Sequence, residues 1–228
     1  MSMTRTQLTS LTREIMQATG STQWSDATLQ TWLGLAHWQE YANLLNILNS
    51  YQMQAVTVTQ DANGQFTIAS LSTGSGDTAK YFYRILALAK PSSAGGYFYK
   101  QSQFKFDPNP SLSASPNYIW YPYGRYIQVS PVESGTTMTA TVNFRPPRVD
   151  QLSADSVAVD FPDGYESLLA WRAAGLALRR GGAEVQAALA MDAMAKEIRD
   201  EMLLDLGRVG TTPIIAGAFD DPSDWGYG

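Results

Sequence analysis

The chain has no cysteine and only one histidine, His37, among its 228 residues. These absences exclude a disulfide framework, a thiol nucleophile and zinc sites built from cysteine and histidine. No early basic segment is followed by an apolar run, so the sequence does not predict a secretory signal. The longest uncharged stretch, residues 41–60, is too rich in Asn, Gln, Ser and Thr to cross a membrane. We therefore expect a soluble protein that is not exported.

Basic residues are also in the minority. Twenty-one acidic residues against sixteen basic residues give a formal net charge of -5. A compact domain that wraps nucleic acid through its phosphates would normally be basic, so sequence-specific DNA binding is disfavoured. Hydrophobic residues make up 44% of the chain, which is enough for one good core, or for a core and a smaller second one.

Helical periodicity characterises the first quarter of the chain. One helix is predicted from Thr4 to about Ala18. A second is predicted from Asp26 to about Asn49, with Ser25 as its N-cap. The apolar residues that share the faces of these helices are Leu8, Leu11, Ile15, Met16, Leu29, Trp32, Leu33, Ala36, Leu44, Leu45 and Leu48.

A second helical region follows residue 162. Asp163 and Glu166 have the spacing of a capping box, which predicts a helix that continues to Arg180 and ends at Gly181-Gly182. Another helix is predicted from Ala183 to Leu206, ending at Gly207.

Between these regions the period changes to that of β-strands. Asn63-Gly64 is a strong hairpin signal between the first two strands. The predicted strands are Ala55–Thr59, Gln65–Ala69, Tyr81–Ala89, Tyr97–Lys100, Tyr118–Tyr121, Tyr126–Val129 and Thr136–Phe144.

These patterns predict an α+β fold: a four-helix bundle from both chain ends, an inserted antiparallel β module and an extended C-terminal arm. The expected division assigns residues 1–54 and 150–206 to the two halves of the bundle. Residues 55–149 form the β module, and residues 207–228 form the arm.

The usual catalytic patterns are missing from the sequence. There is no phosphate-binding loop, and Gly74-Ser75-Gly76 lacks the spacing of a nucleophile elbow. His37 lies in the middle of a predicted helix beside Trp38, where a histidine is usually a packing residue. We therefore expect a protein that is not an enzyme and has no cofactor or metal.

Acidic residues are explained by ordinary helix chemistry. Asp160, Asp163 and Glu166 are better explained by capping than by acid–base catalysis. The spacing of Asp192, Lys196 and Asp200 predicts ion pairs along a solvated helix face. The acidic residues that could resemble a metal cluster, but fit this solvated face better, are Asp192, Glu197, Asp200, Glu201 and Asp205.

Half of the aromatic residues lie between Tyr81 and Tyr126. The same segment contains Arg84, Lys90, Lys100, Lys105 and Arg125 but only one acidic residue, Asp107. Such a segment suits a sugar platform, a single-strand nucleic-acid platform or a protein interface, although aromatic residues also simply favour strands. The candidate partner-binding residues are Tyr97, Tyr99, Trp120, Tyr121 and Tyr123.

The end of the chain is unusually apolar for a disordered tail. Its apolar and aromatic residues could dock in extended form on a partner, as a linear peptide does. The alternative interpretation is a frayed chain end that binds nothing. The candidate anchors are Ile214, Ile215, Phe219, Trp225 and Tyr227.

Several segments in the second half carry a family resemblance: Arg125–Pro131, Asn143–Pro147, Leu152-Ser153 and Phe161-Pro162, followed by an Ala- and Leu-rich helix ending near Gly181-Gly182. This succession resembles the head-to-tail adaptor proteins of tailed bacteriophages. The opening helices are also similar to those of that family. The aromatic segment 97–123 has no clear counterpart.

The resemblance implies a structural virion protein, made in the host cytoplasm and located at the head–tail junction. Members form a ring, usually twelve-fold, that binds the portal protein, extends the channel for double-stranded DNA and provides a platform for tail or head-completion proteins. The C-terminal arm would bind the portal. The aromatic module has no clear counterpart in the family, and its composition alone makes it a candidate for contact with the tail or a neighbouring subunit. A negative channel lining would let DNA pass without sequence-specific binding.

Two other functions stay open at this point. The aromatic β region could make the protein a carbohydrate-binding or tail-associated recognition module. A cell-wall-degrading activity on a phage structural protein is a weaker alternative, because the sequence has no identifiable general acid.

Overall fold

The computed structural model describes residues 2–17, 24–48, 51–90, 97–101, 119–181 and 185–209. This part of the chain confirms the α+β class. Its α-helices are α1 (Arg5–Gln17), α2 (Asp26–Ile47), α3 (Ser167–Gly181) and α4 (Val185–Val209). Its strands are β1 (Met53–Thr59), β2 (Gln65–Thr67), β3 (Tyr81–Lys90), β4 (Tyr97–Gln101), β5 (Ile119–Tyr123), β6 (Tyr126–Ser130) and β7 (Thr137–Arg145).

Helices from the two ends of the chain share one hydrophobic core. The α3 helix packs against α1, α2 and α4, and its buried alanines let the helices approach closely. Ser25 caps α2 as predicted, accepting a hydrogen bond from the Thr28 N–H at 3.3 Å. The largest fully buried side chains of this core are Tyr41, Leu8, Met16, Leu29, Leu33, Leu44 and Leu45.

Two predicted helix boundaries are wrong. Gly164 has a φ of 88°, a left-handed conformation, so α3 begins only at Ser167 and the predicted capping box does not form. Asp163 instead accepts a hydrogen bond from Ser2 Oγ at 2.7 Å. At the other end, α4 continues through Gly207 to Val209, because one glycine costs only about 1 kcal/mol in a helix that is well packed elsewhere.

The seven strands form one sheet in the order β1-β7-β3-β4-β5-β6-β2. The described pairings are antiparallel except for β4 and β5, which pair in parallel between Lys100 and Ile119 and between Gln101 and Trp120. The expectation of a purely antiparallel module is therefore wrong at this point. Residues 102–118 connect the two strands and exceed the dozen or so residues that a parallel connection needs.

The first two strands do not pair with each other, although the turn between them forms. Gly64 has a φ of 74° and donates to the Asp61 carbonyl at 3.1 Å, as the Asn63-Gly64 signal predicts. Beyond the turn, β1 pairs with β7 and β2 pairs with β6. The hairpin pairing was therefore wrong, because the tertiary partners outcompete the local one.

This topology requires the sheet to curl. In a flat sheet the two edge strands, β1 and β2, would lie roughly 29 Å apart. Residues 60–64, which connect them, can span only roughly 20 Å. The concave side therefore encloses a second core, formed by Val56, Val58, Phe66, Leu71, Ile85, Leu88, Tyr99, Trp120, Ile127, Val129, Met138, Ala140, Val142 and Phe144.

The sheet begins and ends at one place on the helical unit. Met53 of β1 pairs with Asn143 of β7, so the chain enters and leaves the sheet on adjacent strands. We predict that replacing residues 53–145 with a short Gly/Ser linker will leave a soluble protein with helical circular dichroism. The physical reason is that the helical core has its own buried residues. A coil-like spectrum would show that the sheet is part of one indivisible fold.

Candidate interaction surfaces

The β5–β6 hairpin presents tyrosines on its outer face. Gly124 and Arg125 form its turn, and Tyr123 and Tyr126 are cross-strand partners that are 54% and 41% exposed. Tyr121 lies on the same face by strand alternation and pairs with Gln128. Partial burial and the nearby Tyr123 raise the pKa of Tyr121.

The adjacent strand β4 adds one further aromatic side chain. Phe98 is 61% exposed and lies on the same outer face by alternation, because its neighbour Tyr99 is buried inside the sheet. We call Phe98, Tyr121, Tyr123 and Tyr126 the outer aromatic surface. Exposed aromatic side chains of this kind are typical of interaction sites.

Only part of the predicted aromatic set lies on this surface. Tyr99 and Trp120 are 4% and 5% exposed and belong to the core inside the sheet, so their assignment as partner-contacting residues needs correction. Tyr121 and Tyr123 face outward, and the side chain of Tyr97 is outside what the structure describes. Sequence reasoning missed Phe98 and Tyr126, because aromatic residues occur at both alternating positions of these strands.

The C-terminal anchors cannot be placed in the fold. Ile214, Ile215, Phe219, Trp225 and Tyr227 all lie outside the described residues, which end at Val209 of α4. Their role as anchors stays a prediction from the sequence.

His37 is buried in an aromatic environment, as expected for a packing residue. Its ring lies edge-on to the rings of Tyr41 and Phe161, with centroids 5.7 and 6.0 Å away. The Nε2 atom lies 3.0 Å from the Asp160 carbonyl oxygen, which can only accept, so Nε2 carries the proton. Burial lowers the pKa of His37 from 6.5 to about 4.

Acid should therefore destabilise the protein through His37. As pH falls from 7 to 4, the imidazole takes up a proton in the unfolded chain before it does so in the folded one. This difference should lower the free energy of unfolding by roughly 3 kcal/mol. His37→Gln should cost only about 1–2 kcal/mol at pH 7 and should lack this acid-dependent loss. Urea unfolding of both proteins at pH 7 and pH 4 measures the difference; parallel pH profiles would contradict it.

The acidic residues of α4 follow the predicted solvated face only in part. Lys196 and Asp200 form the predicted ion pair at 2.6 Å, both of them exposed. Asp192 does not pair with Lys196; it binds Arg172 of α3 at 2.5 Å and also Arg179. Within the described residues, no group of histidine and acidic side chains could hold a metal ion.

A buried ion-pair network joins three helices, and nothing in the sequence analysis identified it. Glu40 of α2 is 1% exposed, and both of its oxygens accept hydrogen bonds from Arg199 of α4 at 2.6 Å. Arg172 of α3 lies 3.6 Å from the same carboxylate and connects it to Asp192. The network fixes the relative positions of α2, α3 and α4, because a buried carboxylate must keep its partners.

The described residues thus combine a helical unit, a curled sheet and an exposed aromatic surface. Within this described part, no helix is both long and apolar enough to cross a bilayer.

A family model described as SU10 adaptor protein matches residues 3–216. Because this match spans nearly the whole chain, the chain belongs to the SU10 adaptor protein family. It is therefore a phage structural adaptor and a component of the virion. Comparison with curated proteins gives no match.

Proposed function

We propose that this protein forms a ring between the portal and the tail of a tailed bacteriophage, usually of twelve copies in proteins it resembles. The ring extends the channel for double-stranded DNA and provides a docking platform for tail or head-completion proteins. The match to the adaptor family over residues 3–216 is the observation that carries this proposal. The four helices act as a bundle in the wall of the ring.

Residues 210–228 serve as the portal-binding arm. The sequence supports this role, because Ile214, Ile215, Phe219, Trp225 and Tyr227 follow the last described turn of α4 in a segment where glycine and proline disfavour a helix. The outer aromatic surface, with Tyr121 and Tyr123 at its centre, contacts the tail or a neighbouring subunit. Both regions offer the residue types that dominate binding energy at protein interfaces.

DNA passes through the channel without sequence-specific contacts. The formal net charge of -5 supports this, because a surface that does not neutralise phosphates does not hold the duplex in place.

The decisive experiment mixes the purified full-length protein with its portal and examines the product by negative-stain electron microscopy. A ring of additional density on the tail side of the portal is the expected result. Retention on a sugar column without portal binding would instead favour a carbohydrate-recognition module that uses the outer aromatic surface.

A further inference from the structure

One arginine is held between two aromatic rings with no acidic partner. The guanidinium carbon of Arg145 lies 5.0 Å from the centre of the Trp38 ring and 4.2 Å from that of Tyr83. Within the described chain, no carboxylate or other acceptor forms an ion pair or a hydrogen bond with this guanidinium. Its neighbour Arg148, which lies over the same tryptophan, is bound by Asp150 at 2.9 Å.

This arrangement orients the guanidinium but leaves its donors available. Stacking on aromatic rings stabilises a cation and fixes its plane. Partial burial without a counter-charge is unfavourable, and desolvation lowers the pKa of Arg145. Tyr81, the cross-strand partner of Arg145, is 41% exposed and widens the accessible surface. Arginine, tyrosine and tryptophan are the residue types enriched at interface hot spots.

A complementary pair of carboxylates lies on α4. Glu197 and Glu201 are both exposed, are one helical turn apart, and have no ion pair within the described chain. Like charges at this spacing repel each other and destabilise a helix. A guanidinium placed between the two carboxylates would remove this repulsion and form charge-assisted hydrogen bonds.

The two charged surfaces lie on opposite sides of the Glu40–Arg199 contact that joins α2 and α4. On α2, Trp38 and Glu40 are two residues apart and therefore point about 200° away from each other. Glu40 faces α4 through Arg199, so Trp38 and Arg145 lie on the far side of α2. By the same geometry, Glu197 and Glu201 flank Arg199 on α4 and point away from α2. Surfaces on opposite sides of one molecule suit contact between successive identical copies.

We propose that copies of this chain associate head to tail, with Arg145 of one copy bound by Glu197 and Glu201 of the next. This inference rests on the proposed ring and names the surfaces that build it. A DNA phosphate is a poorer occupant, because a single half-buried guanidinium among aromatic rings on an acidic protein lacks the several cations that phosphate binding uses.

Charge reversal in the full chain tests the contact. Arg145→Glu should weaken self-association, measured by sedimentation, roughly thirtyfold or more, because it places like charges against each other. Glu197→Arg with Glu201→Arg should do the same. Combining all three substitutions should restore association. Arg180→Glu is the matched control, because Arg180 also lies over a tryptophan, Trp32, but at a different site.

Each of these measurements can overturn the proposed contact between Arg145 and the two glutamates. Normal association of Arg145→Glu, a failure of the triple variant to recover, or an equal loss with Arg180→Glu would overturn the contact. So would a loss of duplex-DNA binding by Arg145→Glu without a change in association. A wild-type protein that stays monomeric at its highest soluble concentration would also overturn it. Portal binding, measured separately, would still decide the proposed function.

A cross-linking readout does not depend on charge or on the stacked arginine. The chain has no cysteine, so introduced cysteines react without background. Tyr81→Cys and Leu204→Cys replace exposed side chains beside the two surfaces. Carried together, they should give a ladder of covalent multimers with a bismaleimide, whereas each alone should stay largely monomeric, because a head-to-tail contact does not bring identical positions of two copies together. A double variant that gives no ladder would contradict the head-to-tail arrangement.

Discussion

A protein that ends at Val209 should fold normally but fail to join portal-containing particles. The described helical core and sheet core are formed by residues that precede Val209, so the truncated protein keeps every side chain that these two cores contain. The melting temperature should therefore stay near that of the full chain. Portal binding should fall below detection, because several apolar anchors, each contributing about 2 kcal/mol or more, are lost together. Copurification with portal particles measures the effect.

Single substitutions measure how much each anchor contributes to portal binding. Phe219→Ala and Trp225→Ala should each weaken portal binding by roughly thirtyfold, the equivalent of about 2 kcal/mol. Ser223→Ala is the matched control, because it lies between them and removes only a hydroxyl. If the truncated protein occupies portals fully, docking must run through the helical unit or the outer aromatic surface instead.

Removing the buried carboxylate at Glu40 should produce the largest loss of stability. Glu40→Gln keeps the side-chain volume but leaves Arg199 without its ionic partner in a site where Glu40 is 1% exposed. Removing one member of a buried pair costs about 3–5 kcal/mol. Most domains have only about 5–15 kcal/mol of stability, so this variant should unfold at clearly lower denaturant concentration. Chemical denaturation followed by circular dichroism measures the change.

Two further variants test whether the loss of stability in Glu40→Gln comes from the buried ion pair. Lys196→Gln breaks the exposed Lys196–Asp200 pair and should cost no more than about 0.5 kcal/mol. Replacing Glu40 and Arg199 together with methionine should recover much of the lost stability, because no buried charge is then left without its partner. A loss in Glu40→Gln no larger than that of Lys196→Gln would show that the network contributes little.

Local sequence signals predicted the elements far better than their partners. All seven strands and four helices occur near their predicted positions, because alternation, helical periodicity and the Ser25 cap act within a few residues. The Asn63-Gly64 turn also forms, yet its two strands pair with β7 and β6 instead of each other. Strand pairing depends on distant segments, which a local turn signal cannot specify.

The candidate surfaces divide in the same way. Aromatic enrichment predicts an interaction surface on β4–β6 but does not say which face of these strands is exposed. The curl of the sheet decides this: it places Tyr99 and Trp120 in the core, and Tyr121 and Tyr123 on the outside. The position of Arg145 between Trp38 and Tyr83 joins residues from three elements that are far apart in the sequence. No spacing rule could have brought them together.

The sequence by itself determined the α+β class, the order of the elements and the resemblance to phage adaptors, because these follow from local periodicity and from patterns within short segments. Only the tertiary structure decided the sheet order, the parallel β4–β5 pair, the Glu40–Arg199 ion pair and the isolated guanidinium of Arg145. Each of these joins residues that are distant in the chain. The sequence pattern allows several such pairings equally well, and the burial of the side chains in the folded protein selects among them.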